Sequence, residues 1–205
     1  MSKPKWETPS RRLVNILEEY GVNGFDRPGG TDKNTIHNYT GIYEHLLSPY
    51  VKKEGKLLEI GVQHGGSSLL WQTYLPKFEL CLVDIADIVN QWIWHCMDRN
   101  ENPYTFYEAN AYDLGFVAGL KEKWQGFDII IDDGPHTLPS QIFAVEHYLP
   151  LLNEGGVFVI EDIQHIDHIK ELSDAVPDEL KGGIEVYDVR ETKGRYDDLI
   201  FVVKR

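Results

Sequence analysis

KLLEIGVQHGGSS, residues 56–68, runs from a short apolar stretch through glycines into a pair of serines. Leu57, Leu58 and Ile60 make residues 56–60 a strand. Gly61 and Gly65 permit a tight turn and close approach of a ligand to the backbone, and Ser67 or Ser68 can cap the helix that follows. A strand that passes through such a turn into a helix is the opening of a βαβ unit. Taken alone, an ordinary βα turn would use the same glycines, so the rest of the chain has to decide what this one is for.

Working outward, the pattern repeats. Strand-like runs follow at ELCLVD (79–84), YTFYEA (104–109), FDIII (127–131) and VFVI (157–160), with helical patterns between most of them. Short continuous apolar strands alternating with helices predict a parallel sheet covered on both faces. Upstream, Leu13, Ile16, Leu17 and Tyr20 keep helical spacing after Thr8-Pro9-Ser10 and stop at Gly21; Ile42, Tyr43, Leu46, Leu47 and Tyr50 restore it. Downstream, IEVYDVR (184–190) and DLIFVVK (198–204) are joined by ETKGRYD (191–197) with no helix expected between them, which predicts an antiparallel hairpin at the sheet edge. The expectation is an α/β fold: a seven-stranded, mostly parallel sheet with helices on both faces, in one domain over residues 1–205. Residues 1–50 supply N-terminal helices and a loop, and residues 51–205 the core.

The chain has 205 residues, 42% of them apolar, enough for one sizeable core. No run reaches the roughly 18 apolar residues of a membrane helix, and MSKPKWETPSRR lacks the apolar stretch of a leader, so a soluble cytoplasmic protein with no membrane partner is expected. Two cysteines, Cys81 and Cys96, form no disulfide framework or metal knuckle and read as buried small residues. A net charge of −13 argues against a nucleic-acid partner held by its phosphates. Self-association into a homo-oligomer is left open.

In a sheet of this kind ligands bind beyond the carboxyl ends of the strands. After the second strand stands Asp84, about 20 residues past the glycine turn, where an acid accepts hydrogen bonds from ribose hydroxyls. A dinucleotide turn would want a third glycine pattern that Gln63 breaks, and an acid, Glu59, lies inside the first strand. A nucleoside pocket follows, with a nicotinamide-dependent oxidoreductase and a non-catalytic nucleoside-binding module as rival readings. Where the strands ending at Ile131 and Ile160 are neighbours, Asp132-Asp133 and Glu161-Asp162 emerge side by side. Uncompensated carboxylates so close raise one another's pKa, so protons are shared or a cation is bound; oxygen-only ligands favour a hard one such as Mg²⁺. Any one of these acids could instead merely cap a helix. His136, three residues past Asp133, would face solvent at a helix start if it stood alone; beside the acids it is the candidate general base. His165, Asp167 and His168 form a second polar cluster, read as solvated residues at the mouth of the site. The polar, glycine-rich segment 23–38 is expected to pack little and to close over ligands, with His37 and Tyr39 able to touch them.

Glu59-x-Gly61-x-x-x-Gly65 resembles the first motif of class I S-adenosylmethionine-dependent methyltransferases, which are Rossmann-like. GGTDKNTIHNYTGIYEHLL, LLEIGVQHGGSS, IIDDGPH and VIED, in this order over residues 29 to 165, together resemble the metal-dependent sugar O-methyltransferases of macrolide biosynthesis. The resemblance implies methyl transfer from S-adenosylmethionine to a hydroxyl, with Mg²⁺ or Mn²⁺ and a small-molecule acceptor, a sugar hydroxyl. It implies Asp133, Glu161 and Asp162 as metal ligands and His136 as the catalytic base. For the cofactor it implies Glu59, Gly61, Gly65, Ser67 and Asp84, with Asn110 and Ala111 near the adenine and Asp132 beside them. A catechol or other small diol is the alternative acceptor. The chain departs from the family in three ways. Pro135 replaces a serine, Asn110 stands where an aspartate is usual, and at 205 residues the chain is shorter than those enzymes, so no counterpart to their extra N-terminal domain is expected.

Overall fold

The computed structural model describes residues 5–205; residues 1–4, the start of the stretch read as lacking a leader, lie outside them. Helix α1 (Arg11–Glu19) begins where Ser10 accepts a hydrogen bond from the Leu13 amide at 3.1 Å. A cap of this kind is worth about 1 kcal/mol. Leu13 and Leu17, one turn apart, bury its inner face. Helix α2 (Thr40–Leu47) is buried almost throughout, with Ile42, Tyr43, Leu46 and Leu47 at the spacing the sequence predicts.

The remaining elements alternate. Strand β1 (Gly55–Ile60) leads to α3 (Gly66–Tyr74), β2 (Phe78–Asp84) to α4 (Gln91–Met97), and β3 (Tyr104–Glu108) to α5 (Leu114–Trp124). Strand β4 (Phe127–Asp132) leads to α6 (Leu138–His147), and β5 (Leu152–Ile160) to α7 (His168–Ala175). Strand β6 (Ile184–Asp188), the short α8 (Arg190–Lys193) and β7 (Leu199–Lys204) close the chain. The sheet order is β3-β2-β1-β4-β5-β7-β6. Strands β1 to β5 pair in parallel, and β7 runs antiparallel to both β5 and β6.

Adjacent strand residues bury on opposite faces, as they must in a sheet covered twice. Ile129 and Ile131 join one apolar cluster with Leu13, Tyr43 and Trp71; Ile130 joins the other with Trp124, Val145 and Tyr148. Each such side chain, taken fully out of water, contributes roughly 1.5–3 kcal/mol before entropy is charged against it. Among the described residues no helix is long and apolar enough to cross a membrane.

Two expectations are corrected. The connection between β6 and β7 does contain a helix, the single turn α8, closed by Gly194 in the left-handed conformation. The segment 23–38 is not loosely packed: Thr31, Lys33, His37 and Asn38 are buried. Its polarity misled because several of its polar groups find partners inside the protein. Gly24 donates to the Thr31 carbonyl, Thr31 to the Val22 carbonyl, and Asn38 to the Glu7 carbonyl. The order of the sheet places β1 between β2 and β4, so the ends of β2, β1, β4 and β5 lie side by side at one edge.

Candidate active site

At that edge the hydrogen-bond ladder continues past the strands. Gly61 donates to the Val83 carbonyl, Asp133 to Ile60 and Glu161 to Asp132, each at 2.9–3.0 Å. Gly61 has φ +87°, and a Cβ there would lie 1.9 Å from the Asp133 carbonyl oxygen, so only glycine admits this crossing. Gln63, His136 and Asp162 also adopt positive φ (50°, 55° and 53°). Such conformations cost non-glycine residues roughly 1–2 kcal/mol each and aim side chains that an ordinary backbone would not.

A cavity of about 260 Å³ opens there. Gly61, Val62, Gln63, Ser67 and Asp84 form one wall, Asp133, Gly134, His136 and Asp162 another, and Gly30, Thr31 and Asp32 a third. Asp84 Oδ2 accepts the amides of Val62 and Gln63 at 2.8 and 2.7 Å, which fixes the glycine turn on the end of β2. Glu59 lies behind this wall, fully buried, taking hydrogen bonds from Ser68 Oγ and Trp71 Nε1. Burial raises its pKa, with Lys33 and those hydrogen bonds opposing the rise. It anchors α3 to β1. Gly65, at φ +89°, forms the N-terminal cap of α3. Asn110 is exposed and accepts the Tyr112 amide, while the buried Ala111 offers its carbonyl to Tyr148 Oη. Asp132 turns away from the cavity to accept from Tyr112 Oη at 2.5 Å. Burial raises its pKa to about 7; the tyrosine opposes this, and the Asp133 charge adds to it.

The second wall is a charge cluster. Lys33, only 1% exposed, donates to Asp133 Oδ2 at 2.7 Å and to both Glu161 oxygens at 2.7 and 2.8 Å. Tyr43 Oη also donates to Glu161, and Tyr39 Oη to Asp162 Oδ1 at 2.6 Å. Four residues apart across the start of α2, the two tyrosines hold two consecutive acids. Burial first, then the Asp133 charge, raise Glu161 to about 8 and Asp162 to about 6, against the pull of Lys33 and His37 respectively. Burial disfavours the Lys33 charge, but Asp133, Glu161, Asp32 and Glu59 outweigh it, and its pKa stands well above the ordinary value. Breaking such a buried pair from one side costs about 3–5 kcal/mol, far more than a surface pair is worth, so Lys33 belongs to the site and to the fold at once.

His136, 31% exposed, presents Nε2 at 3.8 Å from both Asp133 Oδ1 and Asp162 Oδ2. Asp133, His136 and Asp162 each offer a ligand atom within 4.8 Å of the others. Glu161 stands outside this group, committed to Lys33 and Tyr43. A second such group, His37, Asp197 and Asp198, is buried behind it, with His37 Nδ1 2.5 Å from Asp198 Oδ1. Burial works against the His37 charge, yet Asp198, Asp162 and Asp32 raise its pKa. His165 and His168 lie apart, at the approach to α7, with His165 exposed.

The structure thus gathers Gly61, Ser67, Asp84, Asp133, His136 and Asp162 around one cavity and sets Glu59, Gly65, Asn110, Ala111, Asp132 and Glu161 behind or beside it. Sequence reasoning missed Lys33 and Tyr43 altogether. Tyr43 was hidden in an apolar helical stripe that says nothing of its hydroxyl. The available signal was a lysine inside a segment of an otherwise acidic chain.

Residues 58–163 match a family model described as a methyltransferase domain. The chain is 32% identical, over 70% of its length, to the 8-demethyl-8-alpha-L-rhamnosyl tetracenomycin-C 2'-O-methyltransferase of Streptomyces olivaceus, of which it covers 38%. It is 27% identical, over 62% of its length, to the mycinamicin VI 2''-O-methyltransferase of Micromonospora griseorubida, covering 32%. The chain therefore spans well under half the length of these curated relatives. A solved methyltransferase from the mycinamycin biosynthetic pathway, in complex with Mg, SAH and mycinamycin VI, superposes over 100% of this chain and 54% of its own. The TM-score is 0.69 at 18% identity, a likeness of fold.

Proposed function

We propose a function from an established premise: the chain belongs to the methyltransferase-domain family. It moves a methyl group from S-adenosylmethionine to a hydroxyl of a small natural product, a sugar hydroxyl, with Mg²⁺ or Mn²⁺. The observation that carries this reading is the single cavity with a glycine-turn wall ending in Asp84 and a facing wall of Asp133, His136 and Asp162. The rhamnosyl 2'-O-methyltransferase among the relatives supports the sugar.

When bound, S-adenosylmethionine supplies an electrophilic methyl carbon and the divalent cation offsets negative charge growing on the acceptor oxygen. Gly61 and Ser67 give the cofactor close backbone approach. Asp84 receives its ribose hydroxyls while still holding the Val62 and Gln63 amides. Glu59 and Gly65 keep α3 in place beneath it, and Asn110 and Ala111 would stand at the adenine end, with Asp132 behind them holding Tyr112. Asp133 and Asp162 would hold the cation, with Glu161 joining them once Lys33 gives way; carboxylates that Lys33 compensates only in part are a donor set that suits a hard divalent ion. His136 takes the acceptor proton at Nε2, whose nearest carboxylate oxygens stand beyond hydrogen-bond distance yet close enough to stabilise the imidazolium. A nicotinamide-dependent oxidation has no support left once the family is known.

Calorimetry tests the cofactor: S-adenosylhomocysteine should bind and NAD should not. Turnover of a sugar-bearing acceptor should stop in excess chelator and return with Mg²⁺ or Mn²⁺. NAD binding in place of S-adenosylhomocysteine, or undiminished turnover under chelation, would overturn the proposal.

A further inference from the structure

Lys33 uses its ammonium on the same oxygens that the proposed cation needs. Its Nζ lies 2.7 Å from Asp133 Oδ2 and 2.7 and 2.8 Å from the two Glu161 oxygens, which accounts for three hydrogen bonds, as many donors as an ammonium has. Tyr43 adds a further donor on Glu161. Of the oxygens of these three acids, Asp133 Oδ1 and Asp162 Oδ2 face His136, while Asp162 Oδ1 takes the Tyr39 hydroxyl. Two cations cannot share one carboxylate pair at this range without strong mutual repulsion.

We propose that Lys33 is the built-in rival of the divalent cation: it holds Asp133 and Glu161 when no metal is bound and gives them up when one arrives, which makes it the residue that sets metal affinity and selectivity. The inference rests on the metal reading given above. The rivalry has two consequences. Glu161 keeps a counter-charge in the metal-free protein, so the acid cluster does not fly apart or require protons on all its members. A weakly held monovalent ion gains too little from two carboxylates to displace an ammonium already bonded to both, whereas a divalent ion doubles the attraction. Lys33 also reaches the cluster from the segment that carries Gly30, Thr31 and Asp32 along the cavity wall, so its withdrawal takes place inside the site.

The test uses the full-length chain and MnCl₂ as probe. Lys33→Met keeps the length and apolar stem and deletes the charge. In titration calorimetry it should bind Mn²⁺ about tenfold or more tightly than wild type, the smallest effect expected when one like charge is removed at this range. A merely structural lysine would do the reverse, since its loss would loosen Asp133 and Glu161. Equal or weaker Mn²⁺ binding by a folded Lys33→Met protein overturns the proposal. The wild type supplies a second, independent arm. Brief acetic anhydride labelling followed by peptide mass analysis should leave Lys33 unmodified in metal-free protein and modify it at saturating Mg²⁺. A Lys33 that stays protected with Mg²⁺ bound overturns the proposal even where the variant does not fold. Absence of any Mn²⁺ binding in either protein removes the metal reading, and the rivalry falls with it.

Discussion

The two walls of the cavity are built on opposite plans. The glycine-turn wall, residues 61–67 with Asp84, works through backbone: two amides fixed on one carboxylate, a glycine crossing and a helix start. Asp84 stands 22 and 21 residues from the two amides it holds, one helix and one strand along the chain. The acid wall works through side-chain charge, and its balance comes from far along the chain. Lys33 lies 100 residues from Asp133 and 128 from Glu161, and Tyr39 lies 123 from Asp162. A site assembled from local backbone can be read in a short motif. The partners that compensate a charged wall cannot, because neither partner carries any mark of the other.

Three experiments press on this contrast. His136 belongs to the charged wall and, on the reading above, acts only in the chemical step. His136→Ala should therefore lower turnover roughly 10²- to 10⁴-fold and leave S-adenosylhomocysteine affinity unchanged. Rate measurements from pH 6 to 9 check it: the residual activity should climb with pH as hydroxide replaces the imidazole. Wild-type rates across that range would take His136 out of the chemistry.

Gly61→Ala attacks the backbone wall. The new methyl group meets the Asp133 carbonyl at 1.9 Å, in a conformation alanine resists. Strain of this kind costs at least about 1–3 kcal/mol, read as a lowered denaturant midpoint, and binding of S-adenosylhomocysteine should weaken with it. Unchanged stability would mean that the two loops yield independently.

The third prediction is a pH slope. Burial lifts Asp132 to about 7, against an unfolded carboxylate near 3.9. The folded protein therefore keeps a proton that the unfolded chain has lost. The stability this gives is full below about pH 4 and disappears as the pH rises through about 7. Asp162 and Glu161 titrate in the same direction. Melting temperatures of metal-free protein should thus fall from pH 5 to pH 8, and Asp132→Asn, which can still accept from Tyr112, should make the fall shallower. An identical slope would place the proton elsewhere.

The same contrast explains what was legible in the sequence. The strands and their alternation with helices were, because Leu57, Ile129 and Val157 announce burial by composition alone. The glycines were legible because their spacing is set by a single turn, and Asp84 because it ends the next strand. Asp133, His136 and Asp162 could be found since each ends a strand or follows closely after one. The segment 23–38 was not: its glycines and polar groups look the same whether they face water or a buried partner, and only the fold supplies Asp133, Glu161 and Asp198 to Lys33 and His37. The single-turn α8 escaped for a related reason, since four residues carry no periodicity.

The crossing of Gly61 over Asp133 also acts as a gauge. Because the turn that would seat the cofactor rests directly on the carbonyl of a proposed metal ligand, on the reading proposed above the gap between methyl donor and acceptor would be set by main-chain contact, not by side chains that could be exchanged. An engineer seeking a new acceptor should leave Lys33 and its segment in place and treat residues 61 and 133 as a single part.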